Sequence, residues 1–221
     1  FTVRLGGHEF RLRALSDRQQ FADPDGDAER AGISCSQWSL FGQDWPAGRV
    51  LAEAMCHADV DGLRILELGC GLGLSSLVLQ RRGADVTASD HHPLASGFLE
   101  YNAALNGLTP VQYHDLPWGA PDATLGHFDL IIGSDLLYER DQADALADVV
   151  LRHAGDDAQI VISDPGRGNA NAFSRRLADH GYDVSEERLR FHPEDVAPFR
   201  GRLLRYRRPG ATPTHSAGAP A

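Results

Sequence analysis

Several residue groups in this chain have types and spacings that could do chemistry. Gly69-Cys70-Gly71-Leu72-Gly73 follows the apolar run Ile65-Leu66-Glu67-Leu68. Glycines there let the backbone bend sharply and let a ligand approach the peptide groups, as after the first strand of a nucleotide-binding α/β unit. Glu67 stands inside the end of that run, where it would repel a pyrophosphate and attract a cation. Asp90 closes the next run, Ala84 to Ser89, where a carboxylate can accept the hydroxyls of a ribose. A nucleoside with a positively charged end and no phosphate suits both acids. Ser134-Asp135-Leu136-Leu137-Tyr138 ends a third apolar run, and its carboxylate and phenol could orient an incoming nucleophile. The same residues would also serve as a helix N-cap followed by a packed Tyr, with Glu139 in the first turn. Trp45 and Trp118 could stack on a base, and could equally be core. Asp115 offers a polar group beside Trp118.

S-adenosylmethionine carries a ribose, a cationic amino-acid end and no phosphate. Glu67 to Gly73 followed by Ser89-Asp90 resembles motif I and the ribose acid of the class I, seven-strand methyltransferases that use this cofactor. Trp45, Trp118 and Ser134 to Tyr138 narrow the resemblance to methyltransferase family 16, made up largely of protein lysine methyltransferases with an Asp-x-x-Tyr signature after the fourth strand. The likeness runs from Phe41 to Arg208. It implies that Gly69, Cys70 and Gly71 line the methionine portion, with Gly73 and Ser134 completing the cofactor set. Glu67 would support the amino group, Asp90 the ribose, Asp115 the exocyclic amine of adenine, and Trp45 and Trp118 would flank the adenosyl group. Asp135 and Tyr138 would be catalytic at the acceptor channel, Asp135 as base or as the group that captures the amine. The implied reaction is methyl transfer to a lysine of a protein substrate. A small-molecule amine or a protein histidine is the alternative acceptor, and a non-catalytic binding module is opposed by the intact acids at 67, 90 and 135. Leu136-Leu137 stand where two prolines would mark enzymes acting on nucleic-acid bases or glutamine. Asp164-Pro165-Gly166-Arg167 resembles a segment of the electron transfer flavoprotein β-subunit branch, and a turn with a surface Arg would look the same.

A net charge of -10 opposes a nucleic-acid partner and favours a cationic one. All basic residues other than His are Arg, which removes Schiff-base and Walker lysines from consideration. Cys35, Cys56 and Cys70 have no metal-clip spacing, and the acids of Asp23 to Asp27 and the pair His91-His92 lack the remaining ligands of a metal site. No run is long and apolar enough for a membrane span, and the first residues read as a strand rather than a signal peptide. A cytoplasmic protein without a membrane partner is expected, with a monomer favoured.

The elements that must position these residues are those of one Rossmann-like α/β domain with helices on both faces. Thr2 to Leu5 and His8 to Arg13 read as a hairpin about Gly6-Gly7, and Ser16 to Ala31 as a polar loop. Trp45-Pro46 opens a helix with Ala47, Val50, Leu51, Ala54 and Met55 on one face. Strands at 63–68, 84–90, 111–114, 128–134 and 159–164 alternate with helices at 74–82, 93–106, 140–153 and 169–180, and the stripe Leu94, Phe98, Tyr101, Leu105 is the expected buried face of the second of these helices. Two terminal strands, 183–190 and 201–208, are linked by His192 to Asp195, and the last is antiparallel. Arg202, Arg205, Arg207 and Arg208 read as a solvated edge. The chain thus divides into a hairpin and loop extension (1–45), a methyltransferase domain (46–208) and a disordered tail (209–221).

Overall fold

The computed structural model describes residues 1–119, 124–138, 142–166, 168–191 and 199–210. Arg140, Arg167, the His192 to Asp195 link and residues 211–221 of the expected tail therefore lie outside the described residues. Thr2–Leu5 (β1) and His8–Arg11 (β2) pair antiparallel, with Gly6 and Gly7 both at positive φ (52° and 77°). Inside the expected polar loop a short helix, Asp27–Arg30 (α1), forms because the Asp23 carboxylate accepts the Ala28 and Glu29 N–H groups at 3.1 and 3.0 Å. Among the described residues no group of three or more His, Cys, Asp and Glu side chains could hold a metal ion, and no helix is long and apolar enough to cross a membrane.

Pro46–His57 (α2) leads into Arg64–Leu68 (β3), Leu74–Arg81 (α3), Asp85–Asp90 (β4), Ala95–Leu105 (α4), Gln112–Asp115 (β5), Phe128–Ser134 (β6), Gln142–His153 (α5), Ala154–Asp164 (β7), Ala170–Ala178 (α6), Asp183–Phe191 (β8) and Phe199–Arg207 (β9). Seven strands form one sheet in the order β5-β4-β3-β6-β7-β9-β8. β5, β4, β3, β6 and β7 are parallel, whereas β9 runs antiparallel to both β7 and β8. The chain steps outward from β3 to β5 and returns to the other side of β3 as β6. That reversal opens a crevice beyond the ends of β3 and β6, where ligands of open α/β sheets bind.

Alternating side chains of the strands feed two cores. Ile65, Val86, Leu130 and Val161 pack with α2 and α3 on one face, and the hairpin residues Val3, Leu5, Phe10 and Leu12 join that same cluster. Leu66, Ile131, Ile160 and Leu204 pack with α5 and α6 on the other.

Two expectations about packing are corrected. On α4, Leu94 and Tyr101 are 43% and 47% exposed, and the buried row is Ala95, Leu99, Asn102 and Ala103. The reason is polar: the Asn102 side chain takes the Arg13 N–H (2.7 Å) and gives to the Arg13 carbonyl, while Asn106 does the same for Arg11 (2.8 Å each way). Those four bonds turn the asparagine face of the helix toward the extension, and the Arg13 guanidinium lies 5.0 Å from the Phe98 and Tyr101 ring centres. The last strand is not an edge either. β9 lies between β7 and β8, and Arg202 is paired with Asp164 and Glu186 at 3.0 Å each.

Candidate functional site

The glycine turn is held by Asp90. One carboxylate oxygen accepts the Gly71 N–H (2.9 Å), and the other accepts the N–H groups of His91 and His92 (2.8 and 2.9 Å). Burial raises the Asp90 pKa from its ordinary value, and these backbone donors pull against it. Gly69 and Gly71 both lie at positive φ (59° and 53°). A Cβ on Gly71 would fall 2.7 Å from the Phe41 carbonyl oxygen, so the extension passes directly over the turn.

Glu67 is 3% exposed and accepts the Ser76 backbone N–H (2.9 Å) and a short bond from the Ser76 hydroxyl. Gly73 precedes α3 without a capping side chain, so Glu67 supplies the anionic acceptor that this helix start lacks. Burial pushes the Glu67 pKa up to about 7, opposed by its bonds to the serines and reinforced by the negative charge of Asp90. The Cys70 thiol is raised well above its ordinary value, by burial first and then by both acids, so it remains a neutral wall.

At the end of β6 the backbone turns through Asp135, whose φ of 52° is the positive value found for a non-glycine residue among the described residues. Aspartate tolerates this left-handed region better than most side chains, at a cost of about 1 kcal/mol. At the kink the Asp135 N–H donates to the Ser163 carbonyl (2.8 Å), and Leu136 is driven into a slot that only glycine permits. A Cβ on Gly69 would lie 2.6 Å from one Leu136 methyl, and a Cβ on Gly133 would lie 2.4 Å from the other. Leu136, Leu137 and Tyr138 are irregular, so Asp135 does not cap α5 and the N-cap alternative does not hold.

These parts enclose one cavity of about 470 Å³, a size suited to a small cofactor. Trp45, Glu67, Gly69, Cys70, Gly71, Asp90, Trp118, Ser134, Asp135 and Tyr138 all line it. Trp45 is fixed by its indole N–H on the Leu40 carbonyl (2.9 Å). Gly73 and Asp115 are not among the lining residues. A Cβ at Gly73 would fall 2.2 Å from Leu99, and the Asp115 carboxylate is 72% exposed, 3.3 Å from the His91 ring.

Sequence reasoning did not anticipate how much of the wall comes from the extension. Leu12, Ala31 to Ile33, Gln37, Leu40, Phe41, Gln43 and Asp44 line the cavity, and so do His91, His92 and Gln142. Asp44 is held by Arg49 of α2, itself 4% exposed. His92 stacks on Phe41 with ring centres 3.7 Å apart, and burial lowers its pKa to about 4. Part of this wall falls in the aromatic and Ser-rich run Gly32 to Asp44, which also supplies buried residues such as Trp38.

The strand order and the crevice are those of the Rossmann-like methyltransferase fold. A ribosomal protein L11 methylase from Lactobacillus delbrueckii subsp. bulgaricus superposes with a TM-score of 0.55 at 23% identity, over 76% of this chain and 81% of its own. The magnesium protoporphyrin IX methyltransferase of Synechocystis PCC 6803, solved with bound SAM, does so with a TM-score of 0.55 at 20% identity, over 72% of this chain and 76% of its own. The family model described as lysine methyltransferase matches residues 35–177, and the chain belongs to that family. It is 31% identical over 175 residues to the electron transfer flavoprotein beta subunit lysine methyltransferase of Mus musculus, covering 76% of this chain. The protein N-lysine methyltransferase METTL21A of Danio rerio is 33% identical over 130 residues, 54% of this chain and 58% of its own length. The chain spans 65% of the length of the mouse relative.

Proposed function

We propose that the chain is an S-adenosylmethionine-dependent N-methyltransferase acting on a lysine side chain of a protein. The observation that carries this reading is a single cavity with the buried Glu67 and the partly buried Asp90 beside a glycine turn at one end and the Asp135 kink with Tyr138 at the other. Glu67 and Asp90 both hold raised pKa values in a confined space, which a bound cation with hydroxyl donors relieves. The cofactor fits these residues: Glu67 faces its amino group, Asp90 its ribose, Gly69 to Gly71 its methionine chain, and Trp45 and Trp118 its adenosyl portion.

When bound, the cofactor supplies an activated methyl group on a sulfonium. The protein's task is alignment and desolvation of a neutral nucleophile. A lysine with an ordinary pKa of about 10.4 is almost wholly protonated at neutral pH. Asp135 attracts that ammonium to the cavity and orients it, and the proton passes to water as the chain enters the apolar passage. A carboxylate stabilises the charged amine, so capture suits Asp135 better than the role of base. Tyr138, 37% exposed, forms the outer wall. The lysine methyltransferases among its relatives and the family's description support lysine as acceptor. Labelling with tritiated methyl cofactor in a cell extract, followed by mass spectrometry, is expected to mark a lysine in a protein band. Label confined to small molecules or to histidine would overturn the acceptor assignment, and calorimetry showing no binding of S-adenosylhomocysteine would overturn the whole reading.

A further inference from the structure

Gly48 is the third residue of α2, in regular helix, and its φ is not positive. Glycine disfavours helix relative to alanine, and no turn calls for it here. Beyond its own helix, a Cβ at Gly48 would have one neighbour within 4 Å among the described residues, the Ser134 hydroxyl oxygen at an ordinary 3.6 Å. The fold therefore has room for a side chain at this position. Gly69, Gly71 and Gly133 differ, since a Cβ on them would strike the protein at 2.6, 2.7 and 2.4 Å. What lies between Gly48 and Ser134 is the cavity, which both residues line. A glycine that the fold does not need, facing a cavity, leaves its volume to a ligand.

The sheet register says which part of a ligand that is. β3 and β6 run parallel with Leu68 opposite Gly133, so the next residues, Gly69 and Ser134, stand side by side at the crevice. Glu67 is bonded to Ser76 of α3, Ser134 faces Gly48 of α2, and both helices cover the same face of the sheet. Glu67 and Ser134 therefore share that face on neighbouring strands. We propose that Gly48 is a specificity-determining residue: its missing side chain leaves the space beside Ser134 that the amino-acid end of the cofactor fills, and the Ser134 hydroxyl donates to the carboxylate of that end; this rests on the cofactor seating above. Glu67 and Asp90 suit the ammonium and repel the carboxylate, so the carboxylate needs a donor that brings no negative charge. A serine hydroxyl is such a donor, and that of Ser134 has no hydrogen-bond partner among the described residues.

Two nucleosides separate this role from simple packing. S-adenosylhomocysteine carries the amino-acid end, and methylthioadenosine keeps the adenosine and the sulfur without it. In calorimetry on the full chain, Gly48→Ala is expected to weaken S-adenosylhomocysteine binding about tenfold and methylthioadenosine binding by less than about twofold, while the melting temperature holds or rises because alanine favours helix. Ser134→Ala, which removes the donor and enlarges the space, is expected to weaken S-adenosylhomocysteine about 5- to 10-fold and to leave methylthioadenosine within about twofold. Equal loss of both nucleosides in Gly48→Ala, or a lower melting temperature, would mark a packing residue and overturn the proposal. So would unchanged S-adenosylhomocysteine affinity in Gly48→Ala; slowed methyl transfer beside it would give the space to the acceptor instead. Failure of the cofactor seating is distinguishable: it appears in the unsubstituted protein, which would then bind S-adenosylhomocysteine no better than methylthioadenosine, or bind neither.

Discussion

On the β3–β4 side of the cavity the chain's own backbone engages the acids, with Asp90 taking three N–H groups and Glu67 capping α3, whereas on the β6 side the described backbone is fixed at Asp135 and at the Leu136 slot. The first region is built to hold one shape whatever it binds. The second keeps a left-handed Asp135 and an exposed Tyr138 at the end proposed to receive the acceptor. On the proposed function, a fixed cofactor seat beside an irregular rim lets one fold keep its cofactor while its acceptor changes.

The difference can be broken most severely at Asp90. Asp90→Ala leaves three N–H groups without their acceptor, and S-adenosylhomocysteine affinity measured by calorimetry is expected to fall at least about 100-fold, with a lower melting temperature. A smaller loss of affinity with an unchanged melting temperature would show that the seat is not fixed by its acid.

Gly133→Ala tests the other region from below. Its Cβ would meet Leu136 at 2.4 Å and displace the kink, so stability is expected to fall by about 1–3 kcal/mol in urea titration and kcat by more than cofactor affinity. Adding Leu136→Ala vacates the clash, and recovery of stability in the double variant would sharpen the assignment. At the kink itself, Asp135→Asn keeps the left-handed preference and removes the charge. Methyl transfer is expected to drop at least about tenfold while S-adenosylhomocysteine affinity stays within about twofold, and Asp135→Ala should add a backbone cost of about 1 kcal/mol that Asn avoids.

The smallest effect concerns pH. Glu67 is raised from 4.5 to about 7, so the folded carboxyl holds its proton more tightly than the unfolded one. That contribution to stability is fully present below pH 4.5 and is lost as pH rises through about 7. Cofactor-free protein is therefore expected to lose stability across this window. Glu67→Gln, which can still accept the Ser76 N–H, should flatten that loss in melting curves taken between pH 5 and 7.5.

What could be read from sequence follows from what is local. The strand-turn-helix at Leu68 to Leu74, the buried run Phe128 to Ser134 and the antiparallel last strand carry their signals in adjacent residues. The α4 face was misjudged because Asn102 and Asn106 take their direction from Arg13 and Arg11, 89 and 95 residues away in sequence respectively. Arg202 reads as an edge residue until Asp164 and Glu186 are seen beside it. In the site, glycine spacing and strand-end acids point to the cofactor half. The wall from Leu12 to Asp44 carries no motif, because its place is set by long-range approaches such as the Phe41 carbonyl lying over Gly71 rather than by any neighbour in sequence.

That crossing has a practical corollary. The family match begins at residue 35, and a protein trimmed there would keep the seven strands of the main sheet yet forfeit Leu12 and the Ala31 to Ile33 stretch from the cavity wall, and Val3, Leu5 and Phe10 from the core. Occupancy by a nucleoside should accordingly protect the first forty-five residues from protease. Trimming at the match is expected to cost stability, through the core residues lost with the hairpin, as well as affinity for the proposed cofactor.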